Sequence, residues 1–242
     1  MAEQLDYLYI AHVTPGERES AYRLHERMAT TPDSHLWART EAEIKTLIDE
    51  YSLFGAWVGS DKRLVAICYV TLSDNELSWE IGGMTVDDSV RGLGIGTILF
   101  RFVLAHTIVY QEPWVNGQKL LVHIHEGNRE PRVLIERLGF QYIKTFEVPE
   151  SSNPPKWMKR NAQGRVMGEE FEFSAAASKA LSDWFYDDLD QLMKQGKLEF
   201  GLGDAYRLND YEYSLDDFKA DLREITKDVL KLTSPADTDL SN

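Results

Sequence analysis

The chain has 242 residues, of which 43% are hydrophobic, and a formal net charge of −14. This length allows one large domain, or one domain of about 150 residues with an appendage. The negative charge would repel phosphate backbones and anionic lipid headgroups, so neither nucleic acid nor a membrane surface is expected as a partner.

Cys68 is the single cysteine, so no disulfide framework can form and a reducing compartment is expected. The first nine residues do not combine a basic segment with an apolar one as a signal peptide does. No run of about 18 apolar residues occurs, so no membrane span is expected. We therefore expect a cytoplasmic protein.

The apolar pattern alternates helices and strands over the first 173 residues. Period-two or continuous apolar runs predict strands over residues 8–13, 55–59, 64–72, 76–86, 119–125, 141–148 and 166–173. Helical spacing predicts helices over residues 17–29, 40–51 and 130–137, and another directly after Gly96. Thr40 and Glu43 have the spacing of a capping box. Two short turns between the second, third and fourth strands predict an antiparallel meander.

The composition changes from Ser174 onward, where the chain becomes more acidic per residue. Two helical stretches are predicted, over residues 175–195 and 215–232, each preceded by a serine that can cap it. Residues 235–242 are polar and are expected to be disordered. The first stretch carries an apolar stripe that needs cover, from the rest of the chain or from a second copy in a homodimer.

A glycine-rich segment, Arg91–Gly96, lies between a predicted strand and a predicted helix. Glycines at alternate positions let the backbone turn tightly and direct N–H groups into one concavity, and the helix adds its positive end. Arg91 would add a charge-assisted contact, so the segment predicts an anion site. It lacks the Lys-Ser/Thr pair of a nucleoside triphosphatase loop and the third glycine of a dinucleotide fingerprint, and an ordinary turn is the alternative.

This segment resembles the signature of the GNAT superfamily of N-acetyltransferases, Gln/Arg-x-x-Gly-x-Gly/Ala, through Arg91, Gly94 and Gly96. The preceding residues are similar to the family's fourth strand, and Asn128 with Gly139-Phe140 to its second motif. The resemblance covers roughly residues 5–173 and implies acetyl-CoA (coenzyme A) as co-substrate. The implied cofactor contacts are Met84, Thr85, Val86, Arg91, Gly92, Leu93, Gly94, Ile95, Gly96, Thr97 and Asn128.

The resemblance implies an α/β (α+β) fold with a mixed, mostly antiparallel sheet flanked by helices. Residues 1–173 would form the GNAT acyltransferase domain and residues 174–242 an acidic, mainly helical extension. The implied activity is transfer of an acetyl or other acyl group to a primary amine on a small molecule or a protein. The net charge mildly favours cationic acceptors. A hypothesis of another class is a GNAT-fold binding protein that acts through its acidic C-terminal helices with little or no catalysis.

Three side chains on the predicted strands are candidates for accepting the proton of the amine. Glu80 lies on the fourth strand beside Trp79 and Ile81, where relatives place a glutamate base, and a solvated or ion-paired carboxylate is its alternative. His123 and His125 share one face of the fifth strand, with packed or hydrogen-bonded histidines as the alternative. No metal site is predicted, because two same-face ligands lack a third partner.

The resemblance also contains departures and an expected acceptor region. Ile135 stands where the second motif usually has a tyrosine that acts as general acid, and Pro131 where it has alanine, so the acid is unassigned. The resemblance places acceptor recognition in residues 23–37 and 147–166. In those segments Trp37 and Trp157 are candidates for framing a cationic amine, with ordinary packing as the alternative.

Overall fold

The computed structural model describes residues 7–31, 34–150, 154, 158–194, 199–200 and 214–233. The strands are β1 (Leu8–His12), β2 (Leu53–Val58), β3 (Arg63–Leu72), β4 (Ser78–Val86), β5 (Lys119–His125), β6 (Phe140–Glu147), β7 (Met167–Phe173) and β8 (Glu199–Phe200). The helices are α1 (Arg18–Ala29), α2 (Glu41–Asp49), α3 (Ile95–Gln111), α4 (Arg129–Arg137), α5 (Ser178–Tyr186), α6 (Asp188–Lys194) and α7 (Leu215–Thr233).

The strands form one sheet in the order β6-β7-β5-β4-β3-β2-β1-β8. The pairs β4–β5 and β1–β8 are parallel, and the other neighbouring pairs are antiparallel. Helices cover both faces, so the predicted fold class, a mixed and mostly antiparallel sheet flanked by helices, is confirmed. The meander β2-β3-β4 follows from the two short turns that the sequence indicates.

The strands β4 and β5 separate after a short paired segment. Their register joins Ser78–Glu80 to residues 119–121 and ends there, although both strands continue beyond it. Beyond that point β4 stays paired with β3 as far as Val86, and β5 stays paired with β7 as far as His125. Each strand follows its other neighbour, so the sheet opens between them into a cleft.

The two faces of the sheet carry different helices. On one face, α1 and α2 pack against β2 and β3 through a cluster that includes Leu24, Ile44 and Trp57. The capping box predicted at Thr40 and Glu43 is present at the start of α2. On the opposite face lies α3, whose side chains belong to the larger core cluster.

The helix α3 is apolar around most of its circumference because it is covered on two sides. The sheet covers one side, and α5 and α7 cover another. Phe218 of α7 packs against Phe102 of α3 at a ring distance of 5.8 Å and against Phe185 of α5 at 5.7 Å. The apolar stripe predicted in the C-terminal segment is thus covered in part by this chain. The division at residue 173 stays a prediction.

The C-terminal segment differs from the sequence-based expectation in two places. One helix is predicted over residues 175–195, but residues 175–194 form a short 3-10 turn followed by α5 and α6, which meet at Asp187. Asp187 and Asp188 are adjacent at this break, and aspartate has low helix propensity. The two-residue strand β8 was not predicted. Residues 235–242, expected to be disordered, lie outside the described residues. Within the described ranges, no helix is both long and apolar enough to span a bilayer.

Candidate active site

The cleft between the diverging ends of β4 and β5 has a volume of about 1330 Å³. Its walls come from β4, β5, the start of α3, α4, and the segment 34–39 that joins α1 to α2. Of the predicted cofactor contacts, all except Leu93 line it. Leu93 is 37% exposed, and its N–H donates to the carbonyl of Val90 at 3.3 Å. The side chain of Leu93 therefore does not form part of the cleft wall.

One end of the cleft is formed by the glycine-rich segment and the first turn of α3. Gly94 is the N-cap residue of α3 and has a left-handed backbone (φ 81°), which glycine adopts without strain. The N–H of Ile98 bonds to the Gly94 carbonyl at 3.1 Å. The N–H groups of Ile95, Gly96 and Thr97 precede it in the first turn, where an α-helix offers them no intrahelical acceptor. This end has the donors and the helix polarity that an anion requires.

The chain between the end of β4 and the start of α3 has close contacts at both of its ends. A Cβ on Gly96 would lie 3.0 Å from Cγ2 of Val86, so glycine permits the close approach of α3 to the end of β4. Asp87 accepts a hydrogen bond from the N–H of Ser89 at 2.9 Å and forms an ion pair with Arg27 of α1. Arg91 is 60% exposed and pairs with Asp88 at 2.8 Å, so it lies at the mouth of the cleft.

The strand β4 contains a bulge beside the cleft. Its register with β3 pairs Gly82 with Tyr69 and Thr85 with Ile67, so Gly83 and Met84 together face one residue of β3. Gly83 has φ 59°, and a Cβ there would lie 2.1 Å from Cε1 of Tyr69. The Tyr69 ring therefore packs directly on the bulge. Burial raises the pKa of Tyr69, so its phenol remains neutral near pH 7.

Four adjacent strands each contribute one charged side chain to a row across the sheet. His123 of β5 places Nδ1 3.0 Å from Oε2 of Glu80 on β4, and Nε2 3.2 Å from Oε2 of Glu170 on β7. Lys144 of β6 lies 3.4 Å from the same Glu170 oxygen. The register explains the row, because His123 and Lys144 are both direct partners of Glu170. The row alternates in charge, with Glu80 and His123 lining the cleft.

The two carboxylates determine the protonation state of His123. Burial alone would lower the pKa of His123, but hydrogen bonds and attraction from Glu80 and Glu170 outweigh it, so its pKa is raised. A carboxylate only accepts hydrogen bonds, so both ring nitrogens carry protons when both contacts are hydrogen bonds. His123 in this arrangement is an imidazolium without a free lone pair. It can hold Glu80 in place, and it cannot accept a proton.

His125 has different partners from His123. Its Nε2 lies 3.2 Å from the carbonyl of Lys159, and its Nδ1 lies 3.1 Å from Nδ1 of His35. The two imidazoles stack at 5.0 Å between ring centroids. If Nε2 donates to the carbonyl, Nδ1 accepts from His35, so the lone pair of His125 is already engaged. Of the three predicted catalytic side chains, Glu80 and His123 are in contact, and His125 lies apart with His35.

A family model and several solved structures match this chain, and they agree with the fold described above. Residues 60–148 match the family model described as "FR47-like protein". This segment includes β4, the glycine-rich segment, α3 and β5. Among curated proteins, a sequence search gave no significant match.

Solved structures resemble the chain over about two thirds of its length. A proposed acetyltransferase from Acinetobacter baylyi has 11% identity and a TM-score of 0.54, over 69% of this chain and 91% of its own. A ribosomal-protein-alanine N-acetyltransferase from Brucella melitensis has 14% identity and a TM-score of 0.50, over 67% of this chain and 97% of its own. A chimera of a Vibrio cholerae spermidine N-acetyltransferase with hSSAT has 16% identity and a TM-score of 0.50, over 72% of this chain and 98% of its own.

The chain has the GNAT fold. The resemblance identified in Arg91, Gly94 and Gly96 is thereby confirmed at the level of the fold. The strands β4 and β5 are the fourth and fifth strands of this fold, and they diverge as the resemblance implies. The roles of the individual site residues stay predictions.

The departures from the GNAT motifs have a structural basis. Ile135, at the usual tyrosine position on α4, is 2% exposed, belongs to the larger core cluster and lines the cleft with an apolar side chain. It offers no proton. Pro131 lies in the first turn of α4, where its missing N–H leaves no helical bond unmade. Asn128 is the N-cap residue of α4, and its backbone N–H donates to the carbonyl of His125 at 3.0 Å.

Sequence reasoning missed several side chains of this GNAT cleft. Glu170 and Lys144 join His123 through strand pairing that brings together residues far apart in the chain. Arg39 and His35 come from the segment between α1 and α2; His35 lies in the predicted acceptor region, residues 23–37, and Arg39 lies just beyond it. Trp37 lines the cleft. The second predicted aromatic of the acceptor region, Trp157, lies outside the described residues.

Over the part of the chain that the structure describes, no group of three or more His, Cys, Asp and Glu side chains could hold a metal ion.

Proposed function

We propose that the chain is an N-acetyltransferase that transfers an acetyl group from acetyl-CoA to a primary amine. The observation that carries this proposal is the position of the Glu80–His123 pair. It lies in the cleft where β4 and β5 separate, and the same cleft ends at an anion site built from the first turn of α3. A cofactor with a phosphate group at one end and a reactive group at the other suits such a cleft.

The residues at the α3 end suit the pyrophosphate of acetyl-CoA. The left-handed Gly94 and the first-turn N–H groups of α3 provide backbone donors, and a Cβ on Gly92 or Gly94 would meet nothing within 4 Å. Arg91 adds a positive charge at the mouth. Met84, Thr85 and Val86 line the path from this end toward Glu80. Acetyl-CoA supplies the activated thioester, and the chain's residues bind it and prepare the amine.

Glu80 is the residue we assign as the base. An amine in water near pH 7 is mostly protonated and attacks a thioester only after it loses a proton. Oε2 of Glu80 is held by His123, which leaves Oε1 for the amine or for a water between them. The contact with His123 holds the Glu80 carboxylate in one orientation. Glu170 holds His123 and Lys144 contacts Glu170, so we assign both as positioning residues.

The proposal is tested by release of the free thiol of coenzyme A from acetyl-CoA with a panel of primary amines. Glu80→Gln removes the carboxylate with little change in shape. We expect it to lower kcat by about 100-fold or more, the scale of a positioned general base, with the affinity for acetyl-CoA unchanged. A variant that turns over at the wild-type rate would contradict the assignment of Glu80.

Two glutamates of β7 distinguish a positioning role of Glu170 from a general electrostatic effect on the cleft. Glu170 and Glu172 share a face of β7, but Glu172 pairs with Lys119 at 2.9 Å and does not contact His123. We expect Glu170→Gln to change the pH profile of kcat and Glu172→Gln to leave it as in the wild type. Acetyl-CoA binding without thiol release for any amine would instead favour the hypothesis of a binding protein.

A further inference from the structure

The segment 34–39 forms the wall of the cleft that faces Glu80 from the side of α1 and α2. Its last residue, Arg39, is held on three sides. The backbone N–H of Arg39 donates to Nε2 of His25 at 3.1 Å, and His25 is only 1% exposed. The guanidinium lies 4.3 Å from the centre of the Tyr69 ring, and Oε1 of Glu43 lies 3.8 Å away. A fixed cation therefore lines the cleft.

The positive charge of Arg39 is only partly compensated by its neighbours. Glu43 uses its other oxygen, Oε2, to accept hydrogen bonds from the N–H and the hydroxyl of Thr40, at 2.7 and 2.8 Å. The 3.8 Å separation from Arg39 exceeds the length of a hydrogen bond. A guanidinium has five N–H donors, and stacking on Tyr69 uses its face, so donors remain for a ligand. The Arg39 side chain is 26% exposed, so a ligand can reach it.

The carboxylates on this side of the cleft already have partners. Glu80 binds His123, and Glu43 caps α2. Arg39 and the His123 imidazolium thus leave no surplus of negative charge for an acceptor with a second cationic group. The net charge of −14 belongs to the whole surface and differs from the local balance in the cleft.

Tyr69 connects the position of Arg39 to that of the base. Tyr69 is the strand partner of Gly82, and Glu80 is the partner of Thr71 two residues farther along β3. Direct partners and residues two apart share a face of the sheet, so Glu80 and Tyr69 lie on the same face. Arg39 packs on the ring of Tyr69, so the guanidinium of Arg39 and the carboxylate of Glu80 both lie near Tyr69, on the same face of the sheet.

We propose that the acceptor carries a carboxylate close to its amine, as a free amino acid does, and that Arg39 binds this carboxylate. The amine then lies toward Glu80 and the carboxylate against the guanidinium. Arginine recognises carboxylates through paired N–H donors, which fixes the orientation of the acceptor as well as its charge. This inference rests on the proposed acetyltransferase function and names the class of its acceptor.

The test compares kcat/KM for free L-amino acids with that for their carboxamides, using acetyl-CoA as donor. The carboxamide has nearly the same shape, and its amine loses a proton more readily, so the amine's ionisation alone would favour the carboxamide. We expect the amino acids to be preferred. Arg39→Met should lower kcat/KM for them by about 10- to 100-fold, the scale of one charged hydrogen bond, and leave the carboxamides unaffected. Arg39→Lys, which keeps the charge, should fall between.

Two further measurements distinguish a failure of this inference from misfolding of the variant and from a failure of the proposed function. The KM for acetyl-CoA should stay unchanged in Arg39→Met, which reports an intact cleft. Arg223 of α7 is exposed and packs on the ring of Tyr186, as Arg39 packs on Tyr69, so Arg223→Met is the matched control and should behave as the wild type. Preference for the carboxamides, or an equal loss for both classes in Arg39→Met, would overturn the inference and leave the acetyltransferase standing. No thiol release with any amine would overturn the proposed function, and this inference with it.

Discussion

The bulge at Gly83 gives a sharp test of how the β4 wall of the cleft is built. Gly83 has φ 59°, and a Cβ there would lie 2.1 Å from Cε1 and 2.5 Å from Cδ1 of Tyr69. Gly83→Ala therefore combines an unfavourable backbone conformation with a steric clash. The ring cannot simply move aside, because Arg39 packs over it.

The two costs of Gly83→Ala can be worked out separately. A left-handed conformation costs a non-glycine residue about 1–2 kcal/mol, and overpacking of a filled site costs about 1–3 kcal/mol. We expect the free energy of unfolding to fall by about 2–5 kcal/mol. Gly92→Ala is the matched control, since Gly92 has φ 83° but a Cβ there would meet nothing within 4 Å. Gly92→Ala should lower the free energy of unfolding only by the cost of the left-handed backbone, because no clash is added.

Urea-induced unfolding of five proteins measures both costs: the wild type, Gly83→Ala, Gly92→Ala, Tyr69→Ala, and the double variant of Gly83→Ala with Tyr69→Ala. Removing the ring should remove the clash, so the double variant should lose about 1–3 kcal/mol less than the sum of its single changes. If Gly83→Ala is no more destabilising than Gly92→Ala, or if Tyr69→Ala does not relieve it, the packing of Tyr69 on the bulge is refuted.

Two further predictions concern buried groups outside the cleft. Burial lowers the pKa of His12 from 6.5 to about 4, so the unfolded chain takes up a proton at higher pH than the folded one. Its contribution of about 3 kcal/mol should be present above pH 6.5 and be lost as the pH falls toward 4. Urea unfolding at several pH values should then show that His12→Gln loses less free energy of unfolding on acidification than the wild type does. An equal loss in the two proteins would contradict this account. Burial also raises the pKa of the Cys68 thiol, so a thiol-reactive dye should label the folded chain only in denaturant, and rapid labelling without denaturant would contradict it.

Local signals in the sequence were enough to locate the glycine-rich end of the cleft, whose role in binding a cofactor stays a prediction. Glycines at fixed spacing, followed at once by a helical apolar pattern, predicted the anion site and the start of α3. The Thr40–Glu43 spacing predicted the start of α2, and the strand over residues 119–125 was predicted with the bounds that the structure shows. Each of these signals depends on residues a few positions apart, so a single sequence reveals them.

The remainder of the site depends on contacts between distant residues. Glu170 meets His123 only because β7 pairs with β5 in one particular register, and a shift by one residue would move it to the other face. The bulge at Gly83 is a property of how β3 and β4 pair. Arg39 is positioned by His25 and Tyr69, which come from α1 and β3. Apolar periodicity carries no information about such pairings.

The central claim, that the glycine-rich end of the cleft binds the phosphates of acetyl-CoA, is tested most directly by calorimetric titration of acetyl-CoA. Gly94→Glu places a carboxylate at the proposed anion site. Gly117→Glu makes the same change at a glycine of similar backbone (φ 69°) in the turn before β5, also with nothing within 4 Å of the new Cβ. We predict that the wild type and Gly117→Glu bind acetyl-CoA alike and that Gly94→Glu loses binding. Equal affinity in all three proteins would contradict the claim.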